Sequence, residues 1–171
     1  NELENDINEM TAMLDSYVSF VRGETSDPIE QIDLNEFLKD ICQNIKTNKK
    51  NLSLKVKKNI KSSGKPIQLR RSIVNIIENA VRYAENILVD VDSDENNILI
   101  KISDDGPGIP AEKYEDVFKP FFTLDPSRNK LKGESGLGMT IARDIIRSHG
   151  GDIKLSISSL GGLETLIKLP L

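Results

Sequence analysis

The sequence predicts a two-layer α/β (α+β) sandwich: a mixed, mostly antiparallel sheet with helices on one face, preceded by a coiled-coil-like helix. Alternating apolar runs occur in two adjacent, hairpin-like pairs, which favours antiparallel neighbours. Stretches of helical periodicity lie between and beside them, so helices accompany strands throughout. The opening residues repeat apolar positions at spacings of four and three, the seam of a helix that packs along another.

Leu3, Ile7, Met10, Leu14, Tyr17 and Val21 form that seam over residues 1–22. About three heptads also suit an internal core helix. Arg22-Gly23-Glu24-Thr25-Ser26-Asp27-Pro28 then breaks the pattern with glycine and proline, and reads as a linker. From Asp33-Leu34-Asn35-Glu36 a helix runs to about Ile45, and Leu52-Ser53-Leu54-Lys55-Val56 alternates as a half-buried strand. A second helix covers 68–84, with Leu69, Ile73, Ile76, Ile77, Ala80 and Ala84 on its apolar side. Strands at 87–91 and 98–102 flank the turn-forming Ser93-Asp94-Glu95-Asn96-Asn97. A helix at about 111–117, a polar segment at 123–135, a helix at 137–148 and strands at 152–158 and 163–169 complete the order.

The chain has 171 residues, 37% of them apolar, enough for one packed domain with a helical appendage. Lys+Arg number 23 against Asp+Glu 27, a net charge of -4, so no excess of positive charge is available for a nucleic-acid backbone. One cysteine, Cys42, excludes an internal disulfide and a cysteine zinc cluster, and one histidine, His149, excludes multi-histidine metal sites. No apolar run reaches the roughly 18 residues that span a bilayer. A start at Asn1 inside a helical pattern, without methionine, reads as a piece of something longer.

Three local features carry chemistry, and each alone leaves a plainer reading open. On the helix 68–84, Asn75, Asn79 and Arg82 fall together opposite the apolar side. Two asparagines at i, i+4 are poor helix formers that offer carbonyl oxygens to a hard cation, and Arg82 could meet phosphate. A solvated amphipathic face is the plainer reading. Asp104-Asp105-Gly106-Pro107-Gly108-Ile109 follows a strand directly; its glycines let backbone approach a ligand, and Asp104 is an acceptor suited to an exocyclic amine. A simple turn fits equally. Gly133-Glu134-Ser135-Gly136-Leu137-Gly138-Met139 opens a helix and exposes backbone N–H groups at its positive end, a phosphate cradle. It lacks the preceding strand of a dinucleotide fold and the Gly-Lys-Ser/Thr of a P-loop.

Taken together the features resemble the ATP-binding domain of the histidine kinase, gyrase, chaperone and mismatch-repair ATPase superfamily, and within it the bacterial sensor histidine kinases. Asn75-Ile76-Ile77-Glu78-Asn79-Ala80-Val81-Arg82-Tyr83 is similar to the N box, Asp104-Asp105-Gly106-Pro107-Gly108-Ile109 to the first glycine box, Phe118-Lys119-Pro120-Phe121-Phe122 to the F box and Gly136-Leu137-Gly138-Met139 to the second glycine box. All four stand in family order over residues 30–171. The seam helix followed by Asp33-Leu34-Asn35 is similar to the second dimerisation helix and linker of the EnvZ-like osmosensing group.

The resemblance implies a partial dimerisation helix and linker at 1–29 and an ATP-binding catalytic domain at 30–171. It implies that Asn79 ligates Mg²⁺ with help from Asn75, and that Arg82 touches phosphates. Tyr83 and Ile109 would flank adenine, and Asp104 would accept from its amino group. Gly106, Gly108 and Phe118 would line the nucleotide, while Gly136, Leu137 and Gly138 bend the lid 123–135 onto the triphosphate, with Arg128 on the γ-phosphate. Glu134, Thr123 and Leu163 depart from the residues most frequent at their positions, which touches lid mobility and phosphate grip. Implied partners are a histidine-bearing dimerisation helix, a second copy in a homodimer and a response-regulator receiver domain, with no nucleic acid. The implied setting is the cytoplasmic part of an inner-membrane sensor.

His149 ends the helix 137–148 before two glycines, where a cation at a helix C-terminus is ordinary, and family acceptors would precede Asn1. It is therefore not expected to be the phosphoryl acceptor. The alternative function, an ATP-hydrolysing switch of the gyrase or chaperone type, uses a carboxylate base one turn before the Mg²⁺ asparagine. Asn75 stands there, and it cannot take a proton.

Overall fold

The computed structural model describes residues 27–45, 51–124 and 136–171, with the isolated positions Ile7, Thr11, Leu14 and Val18. Those four are helical, and the Thr11 hydroxyl donates to the Ile7 carbonyl at 2.8 Å. Ile7 and Leu14 of the apolar seam are 55% and 60% exposed. Leu3, Met10, Tyr17 and Val21 of the seam, and most of the polar segment with Arg128 and Glu134, lie outside the described residues.

The elements are β1 (Glu30–Asp33), α1 (Leu34–Asn44), β2 (Asn51–Val56), β3 (Lys61–Gly64), α2 (Pro66–Tyr83), β4 (Asn86–Ser93), β5 (Asn97–Asp104), two 3-10 turns (Ala111–Lys113 and Asp116–Phe118), α3 (Gly138–Ser148), β6 (Asp152–Ile157) and β7 (Leu163–Pro170). Five strands form one sheet in the order β2-β4-β5-β7-β6. Its β2–β4 pair is parallel and every other pair antiparallel, so the sheet is mixed and mostly antiparallel as the alternation predicts. Both hairpins, β4–β5 and β6–β7, are present.

Alternation places Val89, Val91, Ile100, Ile102, Ile153 and Ile167 on the inner face, with Val89 opposite Ile102 and Ile100 opposite Ile167. The helices cover that face. Leu69, Ile73, Ile76, Ile77, Ala80 and Ala84 are all buried, together with Ala142 and Ile146 of α3. Asp33 caps α1, its Oδ1 accepting from the Asn35 and Glu36 N–H groups.

The structure differs from expectation in three places. β1 and β3 pair as a separate two-stranded ribbon, which Lys61-Ser62-Ser63-Gly64, lacking apolar alternation, gave no reason to expect. α2 starts at Pro66, whose fixed φ suits a first helical position, two residues before the predicted start. The helix expected at 111–117 is a pair of 3-10 turns, because a stretch bounded by Pro110 and Pro120 is too short to sustain an α-helical nucleus.

Ile77 is wholly buried in the main core. Ile77→Ala is expected to destabilise the domain by about 2–5 kcal/mol in urea unfolding. Ile67→Ala, on the exposed side of α2, is expected to change it by less than about 1 kcal/mol. Equal effects would contradict this placement of the core.

Candidate functional site

The site is built on two helices held in fixed register. Along their contact, the Lys65 N–H donates to His149 Nε2 at 3.1 Å, the buried Ser72 hydroxyl donates to the Ala142 carbonyl at 3.0 Å, and Asn75 Nδ2 donates to the Gly138 carbonyl at 3.2 Å. As numbers rise on α2 they fall on α3, so the helices are antiparallel. Asn75 therefore sits beside the first residue of α3, bringing the asparagine face and the second glycine cluster together. No side chain among the described residues caps α3, so none of them occupies the N–H groups of its first turn, the kind of group that suits an anion. Asn79, one turn on from Asn75, is half-buried, and its side chain makes no hydrogen bond among the described residues. Arg82 and Tyr83 are exposed at the end of the same helix.

Asp104 is the second centre. It is buried at the end of β5; its Oδ1 accepts from Gly106 N–H at 2.8 Å and Leu163 N–H at 3.1 Å, and its carbonyl accepts from Gly162 N–H at 3.0 Å. Oδ2 accepts nothing among the described residues. A Cβ on Gly162 would lie 2.2 Å from Oδ1, so only glycine lets the β6–β7 turn approach this carboxylate. Asp105 braces the fold instead. Its Oδ1 accepts from the Glu85 and Asn86 N–H groups, both at 2.9 Å, fixing the turn between α2 and β4. The Asn86 hydrogen bonds hold the Asp105 carboxyl below its ordinary range. Gly108 and Ile109 follow, half-buried, with Gly108 packed near Gly162.

At the base of the polar segment, Phe121 N–H donates to the Gly136 carbonyl at 3.0 Å, tying the two ends together. Both residues have left-handed backbones, φ 63 each, and a Cβ on Gly136 would meet Phe121 backbone atoms at 2.8 Å. Leu137 is buried behind this hinge, and Phe118 is buried with its carbonyl accepting from Thr140 Oγ1 at 2.9 Å. Phe118 thus packs as a support, with the Arg143 guanidinium stacked 4.2 Å from its ring centre.

Sequence reasoning missed what holds that support. Arg143, buried on α3, donates to both Glu115 carboxylate oxygens at 2.7 and 3.3 Å and to Asp152 at 3.1 Å. Arg147 donates to Asp152 at 3.0 Å as well. An arginine at a core-facing helix position is the one cue the sequence held, since burial of that charge requires partners. Ser72 offered a similar cue, a hydroxyl on the edge of an apolar stripe.

His149 also differs from expectation. Its Nδ1 bonds the Ile145 carbonyl at 2.8 Å while Nε2 accepts the Lys65 N–H. With Nε2 on the Lys65 N–H and Nδ1 on the Ile145 carbonyl, the ring bridges α3 and α2 rather than merely ending a helix. Neither nitrogen is left to attack phosphate. Cys42 is inert by a different route, its thiol pushed up to about 11 by burial.

A family model described as histidine kinase-, DNA gyrase B- and HSP90-like ATPase matches residues 64–171, from the end of β3 to the last residue. The chain belongs to this family. CpxA, a sensor histidine kinase of Escherichia coli K12, is 40% identical over 109 residues, which is 63% of this chain and 24% of CpxA. The sensor protein RstB of the same organism is 27% identical over 176 residues, covering 99% of this chain and 41% of RstB. The chain thus spans well under half the length of these relatives. Among solved structures, the ATP-binding domain of PrrB from Mycobacterium tuberculosis superposes with a TM-score of 0.70 at 26% identity, covering 84% of this chain and 98% of that one. The mycobacterial sensor histidine kinase MprB shares the fold, with a TM-score of 0.73 at 24% identity over 84% of this chain and 97% of that one. The family's ATP-binding fold is therefore the one built here, the two-layer sandwich predicted from sequence.

The ion-pair cluster yields a pH prediction. Burial raises the Asp152 carboxyl, but hydrogen bonds from Arg147, Arg143 and the Ile153 N–H outweigh it and bring it to about 2 from an ordinary 3.8. A lowered pKa stabilises the fold above the ordinary value and loses that contribution as pH falls through the folded one. Stability measured by urea unfolding is expected to drop between about pH 4 and pH 2 more steeply in the wild type than in Asp152→Asn. Parallel curves would contradict it.

Proposed function

We propose that the chain is the MgATP-binding kinase module of a two-component sensor histidine kinase. Residues 30–171 would be the catalytic domain and 1–29 the end of a dimerisation helix with its linker. The observation that carries the reading is the bond from Asn75 to Gly138, which puts the helix that bears Asn79 against the start of α3, where no described side chain caps the first N–H groups. Phosphates suit the free N–H groups of α3, and Arg82 is near enough along α2 to add positive charge. Asn79 fits Mg²⁺: its side-chain oxygen is unclaimed, and no cluster of three His, Cys, Asp or Glu side chains occurs among the described residues, so the remaining ligands would be phosphate and water. Bound there, Mg²⁺ would neutralise phosphate charge during transfer.

The adenine end is read from Asp104. With Oδ1 saturated by two backbone donors, Oδ2 is the oxygen that would accept the adenine amino group, between Tyr83 and Ile109. Gly106 and Gly108 keep the backbone close to the base, and Phe118, Leu137, Gly136 and Gly138 set the root of the lid. Arg128 would reach the γ-phosphate. The acceptor would be a histidine on a dimerisation helix outside this sequence: its imidazole nitrogen forms the new bond to phosphorus as the bond to the β,γ-bridging oxygen breaks, and ADP leaves. An imidazole lone pair needs no base for this step. The phosphoryl group would pass on to an aspartate of a response-regulator receiver domain. Among the described residues no helix is long and apolar enough to cross a membrane, so anchoring of a membrane sensor would lie in other segments.

Incubating the chain with γ-labelled ATP and a dimerisation fragment that carries an acceptor histidine tests the reading. Label is expected on the fragment, with near-background incorporation and phosphate release from the chain alone. Brisk phosphate release without an acceptor would favour the hydrolysing switch instead, and label on His149 would overturn the acceptor argument.

Asp104→Asn tests the adenine contact without dismantling the turn. Its oxygen can still accept from Gly106 and Leu163, while its NH₂ group faces where an acceptor is needed. Preference for ATP over GTP is expected to fall by about tenfold or more, the value of one hydrogen bond to a charged partner. Unchanged preference in competition binding would refute the assignment.

A further inference from the structure

Asp27 lies in the charged stretch that reads as a linker, yet it is only 5% exposed, whereas Pro28, Ile29 and Glu30 beside it are exposed. A carboxylate leaves water only for a partner that compensates it. That partner is the N–H of Gln68, which donates to Asp27 Oδ2 at 3.0 Å across 41 positions of sequence. Gln68 is the third residue of α2, a position whose N–H has no acceptor inside the helix. The helix does not cap itself: Lys65, at the capping position, makes no side-chain capping bond, and Pro66 has no N–H to offer. Asp27 therefore serves as the cap from outside, and its charge suits the positive end of the helix.

We propose that Asp27 is a positioning residue for nucleotide, fastening the N-terminal segment to α2 so that α2 carries the position of that segment to Asn75 and Asn79. The inference rests on reading those asparagines as the nucleotide site. Gln68 and Asn75 are separated by seven residues, about 10 Å of helix, with no glycine or proline between them to absorb a displacement. Over the same span the Lys65, Ser72 and Asn75 bonds to α3 keep α2 from sliding on its neighbour. Movement of the first turn thus reaches the asparagines as a rigid-body shift. The start of α2 receives His149 from the end of α3 at Lys65 N–H and Asp27 from the linker at Gln68 N–H, so two otherwise separate segments meet on the first turn of one helix.

The test compares the wild-type chain with Asp27→Ala and Asp27→Asn, using the Mg²⁺ complex of a non-hydrolysable ATP analogue in calorimetry and hydrogen exchange across α2. Asparagine offers the same acceptor oxygen, so it is expected to bind the analogue within about twofold of wild type, whereas alanine weakens binding about fivefold, the usual worth of a lost cap. Exchange at Gln68, and at Asn75 to Asn79 in the nucleotide complex, is expected to quicken in Asp27→Ala and to recover in Asp27→Asn. A merely structural cap would quicken exchange at Gln68 in a folded Asp27→Ala while leaving its affinity for the analogue unchanged. Wild-type affinity and protection in a folded Asp27→Ala overturn the proposal, as does an asparagine variant as weak as alanine. Should alanine melt below the assay temperature, Asp27→Glu, which moves the carboxylate by one methylene, replaces it: weakened binding supports the role and unchanged binding overturns it. If the wild type itself fails to bind the analogue, the nucleotide site falls and this proposal with it.

Discussion

The register between α2 and α3 is the constraint on which the site depends. Apolar packing of Leu69, Ile73, Ile76 and Ile77 against Ala142 and Ile146 brings the helices together but tolerates sliding, because hydrophobic contact has no direction. Hydrogen bonds do have direction. The Ser72 hydroxyl is fully buried, and a slip that orphaned it would cost about 1–3 kcal/mol. Slipping by one turn, about 5.4 Å, would also part Asn75 from Gly138. The polar bonds at 65, 72 and 75 convert a permissive apolar interface into one alignment.

Around that alignment, the carboxylates divide their labour by which oxygens are occupied. Asp105 spends both on the α2–β4 turn, Oδ1 on two backbone donors and Oδ2 on the Asn86 amide. Asp104 spends one oxygen and its carbonyl on the turn between β6 and β7 and keeps the other. Of two adjacent residues of one type, one thus has both oxygens occupied and the other keeps an oxygen that no described residue claims. On the far side, Arg143 spans Glu115 and Asp152, so the 3-10 turns leading to Phe118 are tied to the same helix whose start meets Asn75.

Elements with strong periodicity were legible: the apolar side of α2 is buried residue for residue, and both hairpins lie where alternation stops at turn-forming residues. The places of the glycine and asparagine boxes were legible too: one lies on α2, one follows β5 and one opens α3. What escaped was specified by distant partners. β3 is a strand because β1 lies against it, and neither sequence alternates enough to say so. His149 reads locally as a helix end, and becomes a bridge only when Lys65, 84 positions away, supplies a donor. Asp27 reads as a solvated linker residue until the uncapped start of α2 arrives beside it. In each case local pattern was overruled by a backbone group in need of a partner, which no periodicity records.

Asn75 gathers these threads into a chemical preference. A carboxylate at this position could accept a proton from water, but as an ionised group it could not donate to a carbonyl oxygen. Asn75 does donate, to Gly138, so the amide both withholds a base from water and holds the glycine helix beside the N box. Converting it to a base would therefore cost the contact that aligns the site. On the proposed reading, in which ATP waits for an imidazole, one residue would answer two needs: the glycine helix is pinned, and nothing at that position activates water. Control of the reaction would then pass to whatever brings a nucleophile to the γ-phosphate, and so to the geometry between this domain and the segment that enters it at Asp27.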